Sequence, residues 1–141
     1  MRPLPWFALA VALYGPIPAV ADTVPPCPDT GGIETARYPD GVPAPIMADF
    51  ASRYTPFAAP TEDFDSSDMV STHISRRLLW VKHRKDKWVV GFEQGGIDYS
   101  DHLLLYTFAK GDLSARLREE HAASPNTVCG KADGLLEDSD D

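Results

Sequence analysis

Residues 87–109 read KWVVGFEQGGIDYSDHLLLYTFA. Two apolar runs flank a polar connector with a glycine pair. In the first run Trp88, Val90 and Phe92 share one side, with Val89 between them. In the second, Leu103, Leu105 and Thr107 oppose Leu104, Tyr106 and Phe108. Alternation with period two predicts strands. Apolar residues on both sides predict that the sheet is covered on both faces.

The same pattern extends outward. ISRRLLWVKH (74–83) is a further strand, joined to KWVVGFE by the tight polar turn Arg84-Lys85-Asp86. Beyond the quoted stretch, Lys110-Gly111-Asp112 has the chemistry of a hairpin turn. LSARLREE (113–120) then admits two readings. It is a strand with Leu113, Ala115 and Leu117 on one side, or a helix capped by Asp112. The short turn before it favours the strand. Short sequential connections predict an antiparallel β-meander of three to four strands over about 74–120.

Residues 22–60 carry eight prolines, each removing a backbone donor and resisting helix or central strand. One helix is predicted among them. Ile46, Phe50 and Tyr54 recur at helical spacing. Pro45 suits the first helical position and Pro56 ends the helix at Tyr54 or just after. Asp49, Ser52 and Arg53 are expected to face water. The expected fold class is α+β, the sheet covered on one face by this Pro-rich segment and on the other by the C-terminal segment.

Residues 1–21 have the pattern of a secretory signal peptide: Arg2, a short apolar run (7–14), Gly15-Pro16, and Ala19-Val20-Ala21 before Asp22. Cleavage is expected between Ala21 and Asp22. An apolar run of eight is far short of the ~20 residues of a membrane span. Val24-Pro25-Pro26 before Cys27 does not fit a lipoprotein signal. The domain organisation is therefore a signal peptide (1–21), one exported domain (22–136) and an acidic disordered tail (137–141). The expected location is the bacterial periplasm or the extracellular space. There Cys27 and Cys129 are expected to pair.

The mature chain would carry 12 Lys+Arg, once Arg2 is gone, against 21 Asp+Glu, a formal charge of −9. That balance argues against a nucleic-acid binder, which needs a basic face. The meander sorts the charges. Lys82, His83, Arg84, Lys85, Lys87 and Lys110 gather at one end, a basic pole suited to an anionic envelope glycan or lipid. His73, Glu93, Asp98, Asp101, His102, Glu119, Glu120 and His121 gather at the other.

Catalytic signatures are weak. His73, His102 and His121 with Asp98 or Asp101 are the residue types of a zinc or acid–base site, without a motif spacing. Glu93 with Asp98 or Asp101 is a carboxylate pair of the glycosidase type. Asp63, Asp65 and Asp68 offer oxygens for calcium but lack the glycine and glutamate of an EF-hand loop. There is no nucleophile elbow, phosphate loop or cofactor motif, and no metal site is assigned. The connector is longer than reversing the chain requires. Gly95 and Gly96 read as its hinge, and Ile97, Asp98 and Tyr99 as a displayed contact surface with Tyr99 as anchor. The expected function is a small binding or inhibitory module acting on a protein partner, for example neutralising a toxin or hydrolase. The alternatives are a small hydrolase at the acidic end and an envelope-binding protein at the basic pole. Oligomeric state is not encoded legibly.

Overall fold

A computed structural model describes residues 27–67, 73–108 and 113–137. The signal peptide with Ala21 and Asp22, Asp68, Lys110 and residues 138–141 of the tail lie outside them. The sheet is five-stranded and antiparallel throughout, in sequence order: β1 (Glu34–Thr35), β2 (Arg76–Arg84), β3 (Lys87–Gln94), β4 (Ser100–Phe108) and β5 (Ala115–Ala123). Helix α1 (Ala44–Tyr54) precedes β2, and α2 (Val128–Glu137) follows β5. Residues 115–120 thus belong to a strand, which runs on to Ala123. Strand β1 was not expected. It is two residues long, too short for a periodic signal.

Both faces are covered. On one, Leu78, Val81, Val90, Phe92, Leu104 and Tyr106 pack with Val42, Ile46 and Phe50 from the Pro-rich segment and α1. On the other, Trp80, Val89, Leu103 and Leu105 pack with Val128, Ala132 and Leu136 of α2, and with Cys27 and Ile33. Each fully buried aliphatic side chain contributes roughly 1.5–3 kcal/mol, so two thin layers suffice where one thick core is out of reach. The disulfide Cys27–Cys129 ties the N-terminal segment to α2.

Local chemistry explains the elements. In α1 the chain enters through Pro43, and Pro45 takes the second helical position rather than the first. Prolines lack the N–H that the first turn leaves unpaired in any case. Ile46 and Phe50 are fully buried. Asp49 is not simply solvated. Its carboxylate pairs with Arg53 at 2.8 Å and accepts the hydroxyl of buried Tyr106 at 2.8 Å. That arginine hydrogen bond holds the Asp49 carboxyl below its ordinary range, against the opposing effect of burial. Helix α2 escapes a propensity reading because it contains Gly130 and Gly134, each costing about 1 kcal/mol in a helix interior. Packing of Val128, Ala132 and Leu136 on the sheet compensates.

Gly91 shows how tightly the α2 layer is built. A Cβ there would stand 2.9 Å from the ring of Trp80, which lies over the bare backbone. Lys82 belongs to the same layer. It is fully buried, with Nζ 3.0 Å from Asp133 of α2 and 2.7 Å from the Pro28 carbonyl. It ties three parts of the chain together and is withdrawn from the basic pole expected of it.

Candidate functional site

The register places a row of charge across the sheet. Arg77 of β2 is opposite Glu93 of β3, Glu93 is opposite Asp101 of β4, and Asp101 is opposite Ala123 of β5. Alternation along β4 puts Asp101 on the face of Leu103, the face that α2 covers. Arg77, Glu93 and Asp101 are all buried, at 4%, 1% and 0% exposure.

Arg77 Nε donates to Glu93 Oε1 at 2.6 Å, and the guanidinium lies 4.4 Å from the Phe64 ring centroid. The Tyr99 hydroxyl donates to Glu93 Oε2. Burial first, and this hydrogen bond second, raise the Tyr99 phenol well above its usual value. Asp101 receives nothing. Among the described residues, the buried side-chain polar atoms without a hydrogen-bond partner are both Asp101 carboxylate oxygens and Trp80 Nε1. Burial, followed by the charge of Glu93, pushes the Asp101 carboxyl up to about 6.

The connector stands on this row. Gly95 N–H donates to the Ser75 carbonyl at 2.7 Å, and a Cβ on Gly95 would meet the Asp65 carbonyl oxygen at 2.3 Å. Gly95 is therefore required by a close backbone approach. It is buried, so it belongs to the footing of the tip and not to its surface. Gly96 has φ +114°, a conformation that other residues avoid. Ile97 is then 82% exposed, Asp98 is exposed and Tyr99 is 40% exposed. Phe64 and Ile74, with Asp63, Asp65, Ser67 and His73, line an open groove.

His102 and His121 do not join the Arg77–Glu93–Asp101 row. His102 points to the opposite face, where it stacks on Phe92 at 4.9 Å and meets Ser100 Oγ at 2.9 Å. Its other nitrogen is 3.6 Å from Glu120. His121 pairs with Glu119 at 2.7 Å, and His73 is exposed. Among the described residues no group of three or more His, Cys, Asp or Glu is arranged to hold a metal ion. The carboxylate pair Glu93–Asp101 does sit side by side, but a substrate cannot reach it under its cover. Asp98 is exposed at the tip. At the other pole Arg84, Lys85 and Lys87 line a shallow concavity with Asp86, Leu136 and Glu137.

Arg77, the counter-ion of Glu93, was the residue that sequence reasoning missed. A signal existed. Both faces of the sheet read as apolar, so a charge inside a strand has no solvated face to occupy. Arg77, Lys82, Glu93 and Asp101 all meet that criterion.

Strand β5 is the outer strand of the sheet, and among the described residues no backbone–backbone hydrogen bond outside the sheet reaches 115–123, although Lys131 Nζ donates to the Ala122 carbonyl. The strand is blunted by a bulge between its partners Leu105 and Tyr106, and by Arg116, Arg118, Glu119 and Glu120. These are devices that discourage strand addition. No helix among the described residues is long and apolar enough to cross a membrane. No protein-family model, curated protein or solved structure matches the chain.

Proposed function

We propose that this chain is a small exported binding module that acts on a protein partner through the β3–β4 tip, in the periplasm or outside the cell. The observation that carries the reading is the exposure of Ile97, 82%, on a connector whose two flanks are tied down. Gly95 is clamped beneath Asp65, and Tyr99 is held on Glu93. An apolar side chain on a pre-ordered loop loses little entropy on binding. Its anchor is Ile97 and not Tyr99, whose hydroxyl is committed inward.

The exposed acids around the tip, Glu62, Asp63 and Asp98, suit a partner with an apolar patch rimmed by Lys or Arg. The Cys27–Cys129 bond fits an oxidising compartment. A photo-crosslinking residue placed at 97 in the exported protein should capture one partner. The same residue at 113, 88% exposed at the other end of the sheet, should not. Binding of that partner should then weaken roughly tenfold or more in Ile97→Asp, since burying an isoleucine contributes ~1.5–3 kcal/mol. Equal capture at both positions, or an Ile97→Asp variant that binds normally, would show that the tip is only a turn.

A further inference from the structure

We propose that the Glu93–Asp101 pair is a proton-binding site that regulates the tip, seating it when the proton is bound and loosening it when the proton leaves. Its role in regulation rests on the contact reading above; the site itself rests on the geometry beneath. Cα partners in an antiparallel ladder are ~4.5–5.5 Å apart, so two buried carboxylates stand side by side. Arg77 brings one positive charge for both, and its Nε is spent on Glu93. Tyr99 satisfies the other Glu93 oxygen. Among the described residues Asp101 is left fully buried with neither an ion-pair nor a hydrogen-bond partner. An anion so placed is costly, and protonation removes the charge.

Among the described residues Asp101 has no hydrogen-bond partner, and the charge that acts on it is the like charge of Glu93. On β5 the partner is Ala123, and His121 two residues away is taken by Glu119. On α2, Lys131 Nζ bonds the Ala122 carbonyl at 2.9 Å, and Asp133 is taken by Lys82. From the segment above Arg77, Glu62 presents its backbone carbonyl to Arg77 at 3.5 Å, while its carboxylate accepts the Ala59 N–H. The proton therefore has one place to go, Asp101. When it leaves, the new anion lies beside Glu93 and on the same face as Tyr99, two residues back. Relief comes from drawing the Tyr99 hydroxyl away from Glu93 or from admitting water, and both unseat residues 96–100.

The direction with pH follows. The folded-state value of about 6 lies above the ordinary 3.8. The stabilisation is complete below about pH 4, declines tenfold in the folding constant per pH unit up to about 6, and is gone above it. Asp49 works in the opposite sense and only below its ordinary 3.8, because its carboxyl is lowered. The two windows do not overlap.

The test is a ¹³C-carboxyl NMR titration of the intact disulfide-bonded protein from pH 3 to 8, with the Tyr99 ring signals followed in the same samples. Asp101 should titrate near 6, and the Tyr99 signals should move with the same midpoint. In Asp101→Asn that Tyr99 transition should vanish, and the pH dependence of urea unfolding between 4 and 6 should flatten by about tenfold per unit. An Asp101 midpoint at or below 3.8, or Tyr99 signals indifferent to it, overturns the proposal. If the variant does not fold, the wild-type titration decides alone. No partner is in the tube, so the outcome is separate from that of the crosslinking experiment.

Discussion

Replacing Arg77 with Met keeps the side chain's length and apolar stem and removes its charge. In the folded protein Glu93, 1% exposed, would lose the cation that stands 2.6 Å from it. It would share its buried row with Asp101 and no positive charge. Breaking a buried ion pair by removing one partner costs ~3–5 kcal/mol. Loss of the guanidinium from the Phe64 face adds ~0.5–2 kcal/mol. A domain of this size has a total stability of roughly 5–15 kcal/mol, so Arg77→Met should be marginal at pH 7. Urea unfolding followed by tryptophan fluorescence measures this directly. The double variant Arg77→Met/Glu93→Gln is the control. It removes both charges together, and replacing a buried pair with neutral groups is far less costly than orphaning one member. Its stability should recover by ~2 kcal/mol or more over the single variant. A single variant that loses under ~1 kcal/mol, or a double variant less stable than the single, would refute the claim that the ion pair compensates a buried carboxylate.

Two further predictions follow from packing and covalent structure. Removing the disulfide with Cys27→Ser/Cys129→Ser should cost ~4–5 kcal/mol, because the bond spans 102 residues of chain and constrains the unfolded state; a loss under ~1 kcal/mol in thermal melts would show the two covering layers hold without it. Gly91→Ala should destabilise by ~1–3 kcal/mol through overpacking against Trp80. A strand glycine elsewhere would gain from the same change, so a raised melting temperature would contradict the ring-on-backbone contact.

Much of the fold was legible from periodicity. The alternating residues of 87–109, and the short turns around them, determined three central strands, their antiparallel order and the need for cover on both faces. The stripe Ile46-Phe50-Tyr54 determined α1. Two cysteines near the ends determined a tie between distant segments. These are local patterns of spacing and residue type, which a linear reading carries.

The tertiary structure alone decided the rest, since it depends on which residues meet across strands. Register sets Glu93 opposite Asp101 and spends Arg77 on only one of them. It sends His102 to one face and Asp101 to the other, although they are neighbours in sequence. It buries Lys82 under α2, a helix whose glycines hide it from propensity. In the GFEQGGIDYSDH connector, the sequence determined a long glycine-hinged tip. Only the packing of Asp65 on Gly95, and of Tyr99 on Glu93, decided that the tip is anchored from within and presents Ile97.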